Sequence, residues 1–239
     1  MKSRTFSLAE ALQFGFKKTI DNFGLFLSLL LTVVLVYIIR LGGIMLAIGY
    51  QVIQSMISEH PNVSLSPATF EMLFNAKLLT GLLVAYVLFK LVDGIVAMGI
   101  TQITLNIYDY DKSSYNKLFS CINLVFQHFF ASLFYICMVG FGLLFFIVPG
   151  VYLAIRYGFY QHAMVDKKLG AFSSLSYSAH ITHNNKSDLF IFFLVIWLMN
   201  TLATSFFGIG LLLTIPITWL AQSYVYRRLL ALPQAKASA

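Results

Sequence analysis

Charged residues are scarce in this 239-residue chain: 10% of its residues are Asp, Glu, Lys or Arg, against 59% that are hydrophobic. Soluble globular domains are about a quarter charged, and a chain this apolar has too little polar surface to cover a water-soluble fold. The scarcity therefore excludes a water-soluble domain and predicts that the lipid bilayer is the solvent. At this length we expect a single integral membrane domain over residues 1–239.

Cysteines and catalytic motifs are also scarce. The two cysteines, Cys121 and Cys137, would lie roughly 24 Å apart on one helix, too far for a disulfide. The chain has no G-x-S-x-G, no H-E-x-x-H, no phosphate-binding glycine loop and no C-x-x-C. His180 and His183 are expected on a solvated helix face, because no carboxylate or cysteine stands at a matching spacing. The sequence therefore predicts no enzyme, no metal site and no cofactor.

The positive charge is distributed in a way that indicates orientation. The net charge is +7, but the basic residues stand at the ends of apolar segments rather than along one face, so no nucleic-acid partner is expected. Cytoplasmic loops of membrane proteins carry the excess of Lys and Arg. With both termini in the cytoplasm, Lys77 alone falls outside, and twelve basic residues fall inside: Lys2, Arg4, Lys17, Lys18, Lys112, Lys117, Lys167, Lys168, Lys186, Arg227, Arg228 and Lys236. The N-terminal stretch lacks a clean cleavage site, so we expect no signal peptide.

Two long uncharged runs, residues 118–155 and 189–226, dominate the second half. A transmembrane helix needs about 20 apolar residues, and one helix of either run would be roughly 57 Å long, about twice the hydrocarbon core. Each run is therefore predicted to fold back as a hairpin. Glycine permits the backbone angles of a tight turn, so the turns are expected at two glycine pairs: Gly140 with Gly142, and Gly208 with Gly210. The four spans are predicted at about residues 120–140, 143–165, 189–207 and 211–231.

The first half allows two interpretations. Residues 22–58 form either one helix, kinked at Gly42 and projecting from the membrane, or a span followed by a re-entrant or interfacial piece. Prolines in the loop 60–67 stop any helix, and the next helix is expected to begin near Ser66 and to include a span at about 78–106. A seventh span at 41–58 would put most of the basic residues outside. The charge asymmetry therefore favours six spans.

A short amphipathic stretch precedes each predicted hairpin and is expected to lie in the membrane interface. The first, residues 7–20, opens with a capping box, Ser7-x-x-Glu10. The second carries Leu118, Ile122, Val125 and Phe129. The third, residues 171–186, has Phe172, Leu175 and Ala179 on one face, and Ser, His and Asn opposite.

Internal repetition supports this arrangement. The pattern Pro-x-x-aromatic-Leu-Ala-x-x-Tyr occurs from Pro149 and again from Pro216. We therefore predict an all-α, polytopic membrane bundle of six helices in three hairpins, each preceded by an interfacial helix. The pseudo-repeats span about residues 7–111, 112–168 and 169–232. Pro149, Gly150 and Pro216 are expected to break or kink the second spans, either lining a binding site or simply setting a kink.

One region carries a family resemblance. The segment Ile147-Val148-Pro149-Gly150-Val151-Tyr152-Leu153-Ala154-Ile155-Arg156-Tyr157, then Asp166, Ala171-Phe172-Ser173-Ser174, Gly208-Ile209-Gly210 and Pro216, resembles the YciC-like family of bacterial inner-membrane proteins. It also resembles the related membrane domain of some glycerophosphodiester phosphodiesterases. The pattern departs at Tyr177, where Trp is usual, and at Asn184-Asn185, where Gly is common. The resemblance implies a fold of about six helices in the bacterial inner (plasma) membrane, and no reaction.

The clearest anomaly is a set of charges at membrane depth. Lys90 and Asp93 stand three apart on one predicted helix face and are expected to pair, and Arg40 and Arg156 are candidates to complete the cluster. Ionisable residues inside a membrane are by default functional hypotheses. The functional interpretation is a polar cavity or ion path. The structural one is a salt bridge between spans, with the arginines snorkelling to the interface.

The sequence therefore predicts a non-enzymatic inner-membrane protein that organises the membrane or interacts with lipid or protein partners. The expected partners are the lipid bilayer, and beyond it anionic lipids or other membrane proteins. The oligomeric state is not readable from the sequence. The alternative is a small-solute transporter or channel with its polar cluster around Asp93.

Overall fold

The computed structural model describes residues 6–58, 76–205, 208 and 210–237. All regular secondary structure in these ranges is helical, which confirms the all-α part of the predicted fold class. The predicted helix start near Ser66 lies outside the described residues. The helices are α1 (Leu8–Asp21), α2 (Phe23–Ser58), α3 (Ala76–Tyr110), two 3-10 turns (Tyr115–Phe119 and Ile122–Leu124), α4 (Val125–Phe145), α5 (Ile147–Tyr157), α6 (Tyr160–Lys167), α7 (Ala171–Thr182), α8 (Lys186–Ser205) and α9 (Leu211–Ala237).

Four helical segments within the described ranges are long and apolar enough to cross a membrane: Phe23–Tyr50, Thr80–Tyr110, Tyr115–Phe145 and Lys186–Ser205. They support membrane association by their length and composition. The segment after α4 is divided into α5 with 11 residues and α6 with 8, each shorter than the roughly 20 residues that a span needs. Helix α9 begins with an apolar stretch and then carries Arg227 and Arg228.

The chain divides into two compact units. The first unit comprises residues 1–30 and 94–239, and the second comprises residues 31–93. The long helices α2 and α3 each contribute one stretch to both units. A sequence pattern does not reveal this division, because no composition change or linker marks it.

The chain reversal between α4 and α5 lies at Phe146, later than the sequence predicted. Gly140 and Gly142 both lie inside α4, and the extended backbone of Phe146 (φ −161°, ψ 152°) ends the helix. A Cβ atom on Gly142 would lie 2.8 Å from the Cα atom of Gly150, so these two glycines let α4 and α5 touch. Pro149 occupies the first turn of α5, where the missing N–H has no helical partner to lose.

The predicted turn between α8 and α9 is confirmed at its glycines. Gly208 has a φ of +75°, a conformation that favours glycine, and its carbonyl accepts a hydrogen bond of 3.0 Å from the Leu211 amide. A Cβ atom on Gly210 would lie 3.0 Å from Ala203 of α8. Neither Gly42 in α2 nor Pro216 in α9 interrupts its helix.

Helix α1 forms where the amphipathic pattern predicted it. One face of α1, however, packs against helix α9. The Ser7 hydroxyl accepts a hydrogen bond of 3.3 Å from the Glu10 amide, as an N-cap does. The buried Gly15 approaches α9 so closely that a Cβ atom would lie 2.7 Å from the Ile217 carbonyl oxygen. The second predicted interfacial helix is replaced by the two 3-10 turns that lead into α4.

Burial in the first unit is concentrated away from the tip of the α4–α5 hairpin. Its core contains side chains such as Ile103 of α3, Met164 of α6 and Val225 of α9, all fully buried. At the tip, by contrast, Leu144 is 81% exposed and Val148 is 78% exposed. Exposed apolar side chains of this kind are stable in hydrocarbon, which agrees with a bilayer around the hairpin.

Candidate functional site

The structure brings together three of the four predicted cluster residues, and all three lie in the second unit. Arg40 of α2 pairs with Asp93 of α3, with 3.1 Å between Nη1 and Oδ2. The predicted partner Lys90 instead lies against the ring of Tyr86, with Nζ 5.9 Å from the ring centroid. Arg40 likewise lies 5.2 Å from the ring centroid of Tyr37. A pair between two helices thus replaces the expected pair along one helix.

This ion pair borders a cleft of about 500 Å³ within the second unit. The cleft is lined mainly by apolar residues such as Ile44, Leu82 and Phe89, with Arg40, Lys90 and Asp93 among the remainder. The side chains of Arg40 and Asp93 are 34% and 33% exposed, so neither is sealed in helix packing. Charged groups at membrane depth are tolerated when paired or when they line a cavity, and this pair does both.

The fourth predicted residue, Arg156, belongs to the first unit, at the last turn of α5. Its guanidinium lies 5.5 Å from the ring centroid of Tyr157. Its carbonyl oxygen accepts hydrogen bonds from Ser178 (3.1 Å) and Thr182 (3.0 Å) of α7. Arg156 therefore belongs to a different site from Arg40, Lys90 and Asp93.

The polar face of α7 binds backbone groups at the break between α5 and α6. Ser174, Ser178 and Thr182 are fully buried, although the amphipathic pattern predicted a polar face opposite the apolar one. The Ser178 hydroxyl also accepts a 3.1 Å hydrogen bond from the Phe159 amide. Because the chain breaks between α5 and α6, these backbone groups have lost their helical partners, and α7 supplies replacements. Phe172, on the predicted apolar face, is exposed.

A polar network in the first unit was not predicted from the sequence. Arg227 of α9 bridges two carboxylates, Asp109 at the end of α3 and Asp166 at the end of α6. Its guanidinium lies 2.5 Å from the Asp109 carboxylate and 2.8 Å from that of Asp166. The Tyr226 hydroxyl donates a 3.0 Å hydrogen bond to Asp166. We call Asp109, Asp166 and Arg227 the carboxylate–arginine bridge.

Helix α1 is attached at the same charged end of the first unit. The Tyr224 hydroxyl donates a 2.8 Å hydrogen bond to Glu10. Lys18 lies 2.6 Å from Asp111, the residue after α3. The hydrogen bond and charge of Lys18 hold the pKa of this exposed carboxyl below its ordinary value. The ends of α1, α3, α6 and α9 are thus connected by charged and hydrogen-bonded side chains.

A cleft of about 400 Å³ opens beside the bridge and is lined by Tyr108, Lys167, Tyr177, Arg227, Leu230 and Ala231. The sequence indicated Asp166 only as part of the YciC-like pattern, and Arg227 only as one of the basic residues expected in the cytoplasm. Pairing between them joins segments 61 residues apart, for which the sequence gives no local signal.

Across the part of the chain that the structure describes, no three His, Cys, Asp or Glu side chains are grouped to hold a metal ion. Both cysteines are free thiols, with Cys121 buried and Cys137 exposed. Comparison with family models, with curated proteins and with solved structures gives no match for this chain. The functional argument therefore depends on the geometry of the two sites, and the YciC-like resemblance stays a prediction.

Proposed function

We propose that this protein is a non-enzymatic, YciC-like protein of the bacterial inner membrane whose basic cytoplasmic face holds anionic lipid or a protein partner. In this proposal the chain crosses the bilayer six times in three hairpins, with both termini inside. The four membrane-length helices support the hydrophobic part of the proposal. Segments α5–α6 and α9 would supply the two remaining spans.

The observation that carries the proposal is the charged end of the first unit. There the carboxylate–arginine bridge and the contacts of α1 join the helix ends into a fixed surface. Most basic residues of the chain belong to this side in the six-span arrangement. Each Lys or Arg near an anionic leaflet is attracted to it by about 1 kcal/mol. Helix ends joined by ion pairs, with further lysines around them, form a surface that suits binding rather than turnover.

A local feature of the backbone supports the repeat. Helices α3 and α6 each end next to a non-glycine residue with positive φ, Asp111 (64°) and Lys168 (53°). When Val92-Asp93-Gly94 is aligned with Val148-Pro149-Gly150, these two residues lie within one position of each other. Equivalent helix ends are expected if the first two pseudo-repeats share an origin.

The proposal is tested by extracting the full-length protein in a mild detergent and identifying what remains bound. Native mass spectrometry is expected to show retained anionic phospholipid in preference to zwitterionic lipid, or a stoichiometric protein partner. Reporter fusions at both termini are expected to place them in the cytoplasm. A monodisperse monomer that retains neither lipid nor partner would contradict the proposal.

A second candidate, a small-solute transporter or channel, is favoured by the cleft in the second unit. Asp93 is already neutralised by Arg40, so Lys90 is the cleft residue whose charge would attract a solute, and the apolar lining favours an amphipathic anion. Flux of such anions into proteoliposomes, abolished by Lys90→Gln, would support this function. Equal flux into protein-free liposomes would exclude it.

A further inference from the structure

Two cations of the first unit, Arg156 and Lys186, lie near one tyrosine, Tyr152 of α5. Lys186, the first residue of α8, donates a 2.7 Å hydrogen bond to the Tyr152 hydroxyl of α5. Its Nζ atom also lies 4.5 Å from the centroid of the Tyr152 ring. Arg156 lies one turn further along α5, on the same helix face as Tyr152. We call these three side chains the Arg156–Lys186 site.

The positive charge of this site is not compensated within the described residues. Arg40, Arg227 and Arg228 each have a carboxylate oxygen within 4.0 Å, whereas no such oxygen lies within that distance of Arg156 or Lys186 in those ranges. The Nε atom of Arg156 is buried and has no hydrogen-bond partner there. A buried donor without a partner and two like charges side by side are both unfavourable. An anion between them would relieve both.

The surroundings of the site distinguish a lipid from a free anion. Lys186 begins one of the four membrane-length helices, so the site lies at the end of an apolar span, where lipid headgroups are found. Beyond it, exposed apolar side chains continue along both neighbouring helices, including Val148 of α5 and Phe190 and Leu194 of α8. A molecule with an anionic head and apolar chains matches this order of polar and apolar surface.

We propose that Arg156, Lys186 and Tyr152 bind the phosphate group of one anionic phospholipid headgroup, with its acyl chains along α5 and α8. The guanidinium of Arg156 can donate two parallel hydrogen bonds to phosphate oxygens. Lys186 adds a compact charge, and the Tyr152 hydroxyl donates a further hydrogen bond. This inference rests on the proposed function, because the site must face the lipid of a membrane that the chain crosses.

The experiment measures binding of phosphatidylglycerol to the full-length protein in detergent by native mass spectrometry. The wild-type protein is expected to bind one lipid of highest affinity. The double variant Arg156→Gln/Lys186→Gln should weaken that binding by at least about tenfold, because charged hydrogen bonds are lost. The matched control Lys112→Gln/Lys117→Gln removes the same charge from exposed lysines of the first unit and should change binding less than twofold. Equal weakening in both double variants would overturn the proposal.

Three further variants keep the test independent of folding. Tyr152→Phe removes one hydroxyl and should weaken binding by a smaller factor, and Arg156→Lys should bind better than Arg156→Gln. Equal binding by Arg156→Lys and Arg156→Gln would contradict the role of the arginine charge. Lipid binding is compared only among variants whose thermal unfolding midpoint matches that of the wild-type protein.

Competition separates the two sources of phosphate. Inorganic phosphate and glycerol phosphate at millimolar concentration should leave the bound lipid in place. Displacement by either one would assign the site to a free phosphate and overturn the lipid assignment. If the wild-type protein retains neither anionic lipid nor a protein partner, the proposed function fails. If it retains a partner but no anionic lipid, or retains lipid equally with and without Arg156 and Lys186, only this inference fails.

Discussion

The carboxylate–arginine bridge gives the sharpest prediction about stability. Replacing Arg227 by Gln removes the cation that joins the ends of α3, α6 and α9, and leaves two carboxylates facing one another. Asp166 keeps its hydrogen bond from Tyr226, whereas Asp109 loses its cation. We therefore expect the first unit to lose its attachment at the end of α3.

The expected magnitude follows from burial. The side chains of Arg227, Asp166 and Asp109 are 19%, 11% and 29% exposed. Removing one partner of a fully buried pair costs about 3–5 kcal/mol, and an exposed pair contributes about 0.2–1 kcal/mol. Between these limits, Arg227→Gln should cost about 2–3 kcal/mol. In a protein of this size that lowers the midpoint of thermal unfolding by roughly 5–10 °C.

The assay is thermal unfolding in detergent micelles, followed by intrinsic fluorescence. The matched control is Arg228→Gln, the neighbouring arginine, whose side chain is 48% exposed and 3.7 Å from Glu10; it should change stability by less than about 1 kcal/mol. The double variant with Asp166→Asn should cost less than the sum of the single changes, since the two groups interact directly. Equal midpoints for the Arg227 and Arg228 variants would refute this account.

Three other substitutions test particular contacts by the same thermal assay. Gly142→Ala should destabilise the protein by about 1–3 kcal/mol, because the added Cβ atom meets the α5 backbone. In the control Gly140→Ala the added Cβ atom meets nothing within 4 Å, so this change should be neutral or stabilising. The reverse order of stabilities would contradict the packing. Gly208→Ala should cost about 1–2 kcal/mol at its positive φ, and an unchanged midpoint would count against the turn. Asp93→Arg should lower the midpoint, and the reciprocal change Arg40→Asp should restore it if the two side chains pair; no recovery would show that they do not.

Much of the secondary structure could be predicted from local patterns. The apolar runs indicated the helices, the Ser7 hydroxyl marked the start of α1, and the glycines at 208 and 210 marked the turn after α8. One of the two interpretations of residues 22–58, a single helix, is confirmed by α2. These features depend on neighbours within a few residues, so sequence spacing contains the relevant information.

The role of Gly142 shows that local sequence patterns do not predict contacts between helices. A glycine in an apolar run permits either a turn or a close helix contact, and both are compatible with the same sequence. Only the position of Gly150 on α5 decides that Gly142 makes a contact. Likewise the spacing of Lys90 and Asp93 suggested a pair along one helix, but Arg40 from α2 reaches the carboxylate.

The sequence by itself determined that this protein is helical, that its helices are apolar enough for a bilayer, and that charge is concentrated at their ends. Those properties follow from composition and periodicity, which can be read along the chain without knowing how the helices pack. The tertiary structure alone decided which charges meet. Arg227 joins carboxylates on two other helices, and Lys186 of α8 reaches the Tyr152 hydroxyl of α5. Such contacts depend on distances between helix ends, and no pattern along a single helix specifies those distances.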